Sequence, residues 1–235
     1  MFILFEDRPS DSPFVERIWR CHSERAGTFH SMAASQWEMV VTRHKGKQCL
    51  TVRGPETKAT TADCPAEGAW VAIRFKLGTF MPLLPANNLR DRRDVTLPEA
   101  TSRSYWLHGS AWEYPDFENA ETFVKRLVHE GLIAVDLSVA AAVQGQRQEM
   151  SLRSAQRHCL QATGMTYRTI RQIERARNAT ILLKQGVSIL DTVHEAGYCD
   201  QAHLTRSLKY FIGQTPAQIR RADEQLSFLY KTGCF

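Results

Sequence analysis

Six pairs of residues recur at an offset of 49 near the end of this 235-residue chain: Ser151 and Asp200, Ala155 and Leu204, Arg157 and Arg206, Cys159 and Leu208, Gly164 and Gly213, Thr166 and Thr215. Each pair has one structural job. Ser151 and Asp200 are N-cap types, whose side-chain oxygens accept from the orphan amides of a first helical turn. Gly164 and Gly213 suit the left-handed position past a helix end. Thr166 and Thr215 then cap the helix that follows, with Pro216 favoured in its first turn. Between the caps the pairs are apolar or basic in register. Chance matches one or two such positions, not six, so the last hundred residues are read as two copies of one helical unit.

The second copy is the clearer. Ser188 caps a short helix with Asp191 three residues on, Ile189, Val193 and Ala196 form its inner face, and Gly197 ends it. Asp200 starts another helix, in which Leu204, Leu208 and Phe211 fall within roughly 60° of one another at a helical repeat. Ala202, Arg206 and Lys209 point the other way, with His203 and Thr205 on the flanks. Helix, short glycine-containing turn, helix is the helix-turn-helix arrangement. Its second helix fits the major groove of DNA, about 12 Å wide, and the small Ala202 permits close approach.

The first copy matches less well. Leu137, Ala140, Ala141 and Val143 make a short helix, but Gln144–Glu149 is a long polar connection before Ser151. Ala155 and Cys159 are small where the second unit has leucines, so this unit is expected to be looser. Its outward face carries Arg153, Ser154 and Arg157, with Gln156 at the edge. Between the units, Ile170, Ile173, Ala176, Leu182 and Leu183 recur at helical spacing and predict one long helix from about Thr166 to Lys184. At 1.5 Å per residue that is nearly 30 Å, close to the ~34 Å between successive major grooves on one face of a duplex.

Charge points to the same region. Residues 1–135 hold 17 Lys/Arg against 17 Asp/Glu, while residues 136–235 hold 13 against 8, so the whole net charge of +5 lies in the helical part. Such asymmetry suits a polyanionic partner. The first ~115 residues read differently. Eight of the nine prolines lie there, and Val71, Ile73, Phe75 and Leu77 alternate with Ala72, Arg74 and Lys76, the period of a half-buried strand. Met39–Arg43 and Cys49–Arg53 are further strands joined by His44-Lys45-Gly46-Lys47, a hairpin loop. A proline-punctuated, strand-rich half predicts a small barrel or sandwich. From Asp116, a capping residue, Phe117, Ala120, Phe123, Val124, Leu127 and Val128 predict a helix over 116–131 that closes this first domain. It serves equally as an intradomain cover or as a dimer element. The boundary falls near Ala134–Asp136, giving domains 1–134 and 135–235.

Several classes are excluded or disfavoured. No phosphate-cradling G-x-x-x-x-G-K, dinucleotide G-x-G-x-x-G, G-x-S-x-G or H-E-x-x-H is present, so no catalytic residues are assigned. Cys21, Cys49, Cys64, Cys159, Cys199 and Cys234 are scattered without a C-x-x-C pair, and His22, His30, His44 and His108 lack paired ligand spacing, so neither metal nor cofactor is expected. His158 and His194 read as incidental, and Trp37, Trp70, Trp106 and Trp112 as core before pocket. No segment has the ~18 consecutive apolar residues of a membrane span and the first residues are not a signal peptide, which leads to the expectation of a cytoplasmic protein.

The run Asp191-Thr192-Val193-His194-Glu195-Ala196-Gly197-Tyr198, continuing through Leu204-Thr205-Arg206-Ser207 to Gly213-Gln214-Thr215-Pro216, resembles the C-terminal signature of AraC/XylS-type transcriptional regulators. Met150-Ser151-Leu152-Arg153-Ser154-Ala155-Gln156-Arg157 resembles the first recognition helix of that family. The resemblance covers roughly residues 136–221. It departs at Gln144–Glu149, at Ala155 and at Cys159, where larger or aromatic residues are usual. It implies an α+β protein: a strand-rich, cupin-like N-terminal barrel or sandwich that senses or dimerises, and an all-α C-terminal domain with two helix-turn-helix units joined by a long helix.

Carried over residue by residue, the resemblance implies groove contacts from Arg153, Gln156 and Arg157 in the first unit and from Gln201, His203 and Arg206 in the second. Arginine reaches guanine O6 and N7 bidentately, and glutamine reaches adenine N6 and N7. Ser151, Thr205, Lys209 and the helix N-termini suit phosphates. The implied partner is double-stranded promoter or operator DNA, with a small-molecule effector, a second copy of the chain and RNA polymerase as further partners open to such a regulator. Two other readings stand beside it. In one, the strand-rich half is an enzyme or metal-dependent binding barrel and the helical half its DNA-targeting device. In the other, the chain is a protein-interaction adaptor whose first unit no longer binds DNA.

Overall fold

In the computed structural model, which describes residues 3–91, 94–143 and 151–221, alternation in the N-terminal half builds one six-stranded antiparallel sheet and three small ones. The elements in chain order are β1 (Ile3–Pro9), β2 (Val15–Ser23), β3 (Gly27–Ser31), β4 (Glu38–His44), β5 (Lys47–Arg53), β6 (Thr60–Cys64), β7 (Ala69–Phe75) and β8 (Thr79–Phe80). There follow α1 (Ala86–Leu89), β9 (Val95–Thr96), β10 (Glu99–Thr101), β11 (Ser104–Leu107), β12 (Ser110–Glu113), α2 (Ala120–His129) and β13 (Ala134–Val135). The helical half is α3 (Leu137–Val143), α4 (Leu152–Thr163), α5 (Tyr167–Lys184), α6 (Ile189–Glu195), α7 (Gln201–Phe211) and α8 (Pro216–Arg221).

The main sheet runs β1-β2-β7-β4-β5-β9, leaving β1 and β9 as its edges. It does not close into a barrel, so of the two architectures the sequence allowed, the layered one is observed. One face contributes Ile18, Met39, Val41, Leu50, Val52, Ile73 and Phe75 to a core completed by Tyr105, Leu107 and Trp112 of the β10–β12 sheet and by α2. The other face carries Arg17, Trp19, Glu38, Arg53 and Arg74 and looks toward the paired β3 and β6 across a cavity. The β4–β5 hairpin is the one expected. Its two-residue loop places both Lys45 (φ 50°) and Gly46 (φ 74°) in the left-handed region, the geometry that matches strand twist.

Three expectations for this half need correction. β7 ends at Phe75, and Leu77 packs against the helical core instead of continuing the alternation. Nor is β7 half-buried by alternation: Ala72 is as inaccessible as Phe75, because β7 lies in mid-sheet with layers on both faces. The helix expected from Asp116 starts at Ala120. The Asp116 carboxylate accepts from the amides of Glu118 (3.0 Å) and Asn119 (2.8 Å), and the Asn119 side chain accepts from the Asp116 amide (2.9 Å). That exchange makes a turn ahead of the helix and leaves Phe117 in the core. Ala120, Phe123, Val124 and Leu127 are all spent on that core, while Thr122, Lys125, Arg126 and His129 face solvent. α2 therefore acts as an intradomain cover.

The helical half realises the repeat at its caps. Ser151 accepts from the Ser154 amide, Thr166 from Thr169, Ser188 from Asp191 and Asp200 from His203. Thr215 and Gln218 exchange bonds at the start of α8, Gln218 Oε1 accepting from the Thr215 amide and Thr215 Oγ1 from the Gln218 amide, a capping box. Gly164 (φ 68°) and Gly213 (φ 87°) hold the left-handed positions past α4 and α7. The connecting helix α5 runs Tyr167–Lys184, as the spacing predicts. Leu204, Leu208 and Phe211 of α7 share one core with Ile170, Ile173 and Ala176 of α5 and with Cys159 and Ala162 of α4. The connection 144–149 lies outside the described residues.

At the junction, β13 pairs with β8 and the Asp136 amide donates to the Gly78 carbonyl at 2.8 Å. The Asp136 carboxylate accepts from the Ser138 amide (3.1 Å) and hydroxyl (2.5 Å) and faces His158 Nδ1 at 2.5 Å. Burial works to raise its pKa, and the bonds from Ser138 and His158 outweigh it, so the pKa is lowered. His158, which reads as incidental in the sequence, thus ties α4 to the junction. Among the described residues no helix is long and apolar enough to cross a membrane.

Candidate nucleic-acid interface

The 3.6-residue period that buries Leu204 and Leu208 turns Gln201, Ala202, Arg206 and Lys209 outward, and all four are exposed. On α4, burial of Ala155 and Cys159 turns Arg153, Gln156 and Arg157 outward in the same way. Nine residues were expected to contact DNA, and the structure sorts them. Arg153, Gln156, Arg157, Gln201, Arg206 and Lys209 are exposed side chains of the two repeat-equivalent helices. His203 and Thr205 are half-buried, and the His203 ring stands edge-on to Tyr198 at 5.1 Å. Ser151 is exposed, but its hydroxyl already caps α4 and donates to Ser154 Oγ at 3.1 Å. That leaves the first-turn amides as the better phosphate donors at this end.

Several arginines of the N-terminal half are already engaged by acids and, among the described residues, those of the two exposed helix faces are not. Arg8 is held by Glu121, Arg17 by Asp7, Arg20 by Glu6 and Arg74 by Glu38. Arg153, Arg157, Arg206 and Lys209 have no acidic partner among the described residues. An unpaired surface cation gives up little on meeting a phosphate or a base edge, whereas a paired one must first break its bridge.

α5 fixes the turn that presents α7. The Arg175 guanidinium lies 4.5 Å over the Tyr198 ring and donates to the Gly197 carbonyl at 3.3 Å, while the Tyr198 and Ser207 hydroxyls are 2.9 Å apart. Burial pushes the Tyr198 phenol upward, so it stays a neutral hydroxyl. Ala196 ends α6 and Gly197 follows at φ 68°, a conformation in which a side chain would be strained.

Sequence reasoning missed the contacts between the halves. Ser35 Oγ donates to Glu174 Oε1 at 3.2 Å, and buried Arg177 of α5 donates to Gln36 Oε1 at 3.1 Å. Arg177 was legible as an anomaly, an arginine in the inward stripe of α5 between Ile173 and Thr180. It also reaches the cavity behind the main sheet, a space of about 500 Å³. Of the tryptophans expected in cores, Trp37 stacks on Phe75 at 3.9 Å and Trp112 is buried, whereas Trp70 lines the cavity and Trp106 is exposed. Burial pushes the Cys21 thiol in that cavity up to about 12, which keeps it protonated and unreactive.

A family model described as a helix-turn-helix domain matches residues 145–222, the stretch that holds α4 to α8. The chain carries an AraC-type helix-turn-helix domain. With this AraC-type domain it is a DNA-binding transcriptional regulator. Among solved structures, ToxT from Vibrio cholerae is similar at 12% identity, covering 92% of this chain and 98% of that one with a TM-score of 0.42. A structure of ToxT from Vibrio cholerae O395 is similar at 11% identity, covering 92% and 97% with a TM-score of 0.42. No curated protein matches. The match includes every expected contact residue, from Ser151 to Lys209.

Proposed function

We propose that this regulator reads sequence with α4 and α7 together, that residues 1–134 form its regulatory domain and 135–235 its DNA-binding domain, and that the cavity in the first takes a small-molecule effector. The observation that carries the reading is the set of four exposed cations without acidic partners, Arg153, Arg157, Arg206 and Lys209, on the two repeat-equivalent helices. Arg153, Gln156 and Arg157 supply base contacts from α4, and Gln201, His203 and Arg206 supply them from α7. Lys209 and Thr205 supply phosphate contacts from α7, and the amides that follow Ser151 supply them from α4. One chain already holds both reading helices, so occupying two grooves needs no second copy.

Support for an effector is the cavity's size and lining. About 500 Å³ falls within the range of small-molecule sites, roughly 300–1,000 Å³. Its walls mix the rings of Trp19, Trp70 and Phe29 with the charges of Arg74 and Glu38, which suits a small molecule with one apolar face and a few polar groups.

The test is a salt titration of the full chain on a duplex that the protein itself enriches from a random library. Each neutralised phosphate contributes a slope of about −0.9 in log affinity against log salt. With the three arginines on bases, Lys209 on a phosphate predicts a slope of about −1 or steeper, with random duplex bound about a thousandfold more weakly at physiological salt. Equal affinity for the two duplexes, or affinity independent of salt, would overturn the reading.

A further inference from the structure

The glycines that end the two reading helices share a feature beyond the repeat: both press against the N-terminal half. A Cβ built on Gly164 would lie 2.8 Å from the backbone of Asn87, where α1 meets α4. One built on Gly213 would lie 3.3 Å from Ala59 Cβ and 3.4 Å from His30 Nδ1. Hydrogen bonds accompany each contact. Arg90, just past α1, donates from its guanidinium to the Gly164 carbonyl at 2.9 Å. The amides of Ala33 and Ala59 donate to the carbonyls of Phe211 and Tyr210, each at 2.8 Å. Carbonyls in the last turn of a helix have no partner within it, and here donors from the other half of the chain supply one.

We propose that the N-terminal half sets the relative placement of the two reading helices, with Arg90 as the positioning residue for α4 and the Ala33 and Ala59 amides as the positioning groups for α7. The long helix α5 joins the two units, but a single helix fixes separation only along its own axis. Each unit meets α5 through a short turn, Gly164–Thr166 on one side and Gln185–Ser188 on the other, and small changes there swing α4 and α7. Seating the far ends of both helices on the N-terminal half closes the frame. α5 is held by the same body through Ser35 to Glu174 and Gln36 to Arg177. Met32 and Ala33 complete the seat by packing inside the helical core.

The test measures the placement itself. Nitroxide labels on Gln156→Cys and Lys209→Cys, in the full chain with Cys49, Cys199 and Cys234 replaced by serine, report the distance between α4 and α7 by pulsed dipolar spectroscopy. A single narrow distribution is expected for this background. Arg90→Ala should at least double its width, Arg90→Lys, which keeps a donor, should narrow it again, and the wedge Ala59→Trp should displace its centre. Arg90 is half-exposed and outside both cores, so its replacement leaves the fold in place, which far-ultraviolet circular dichroism checks. Distributions for Arg90→Ala and Ala59→Trp that superimpose on the background at unchanged helix content would show that α5 alone sets the spacing, and would overturn the proposal.

Discussion

Leu208→Ala is expected to destabilise the helical half by about 2–5 kcal/mol and to remove most DNA binding at 37 °C with it. Leu208 has no accessible surface and lies among Leu204, Ile212, Ile173 and Phe211. Its carbonyl also accepts from the amides of Ile212 and Gly213, which turn the chain out of α7. Truncation leaves a void where the helix end, the left-handed glycine and the contact with the N-terminal half converge. The repeat-equivalent Cys159→Ala removes a single sulfur from an equally inaccessible site and should cost about 1 kcal/mol, at the low end for large-to-small core changes. All five tryptophans lie in the strand-rich half, so their fluorescence follows that half, while far-ultraviolet circular dichroism follows the helices. In a urea titration Leu208→Ala should move the circular-dichroism midpoint well below that of the parent. Coincident midpoints for parent and variant would show that this core does not stabilise the helical half.

Arg206→Ala is expected to weaken binding to the enriched duplex by about 1–3 kcal/mol, roughly 5- to 150-fold, while random duplex is bound almost as before. Arg206 is exposed in mid-helix on the face opposite Leu204 and Leu208, and no acidic residue among those described claims its guanidinium. Lys209→Ala should behave differently. One turn further along α7, a lysine meets phosphate as a point charge, so both duplexes should be bound more weakly and the salt slope should fall by about 1. Fluorescence anisotropy with the two duplexes separates the cases. If Arg206→Ala weakens both equally, its contact is to the backbone and α7 reads its bases through Gln201 and His203 alone.

The helical half was legible in the sequence because its rules are local. Caps such as Ser151, Thr166, Ser188 and Asp200 act within three residues, and a 3.6-residue stripe needs no distant partner to be recognised. The same locality made Arg206 and Arg157 readable as outward. His203 was only partly readable, because the ring of Tyr198 that half-covers it lies across the turn. In the strand-rich half the governing facts are non-local. Whether Ala72 is buried depends on β2, β4 and the layers either side, and whether Asp116 starts a helix depends on its exchange with Asn119 and on a core that claims Phe117. Arg177, Arg90 and the 32–36 segment act between halves, a pairing no periodicity encodes.

Hydroxyl-radical footprinting of the full chain on the enriched duplex tests most directly whether both units read DNA from one side of the molecule. Two protected patches on the same face of the duplex are expected, their centres about one helical turn, or 10–10.5 base pairs, apart. A single protected patch, or two on opposite faces, would contradict joint reading by α4 and α7.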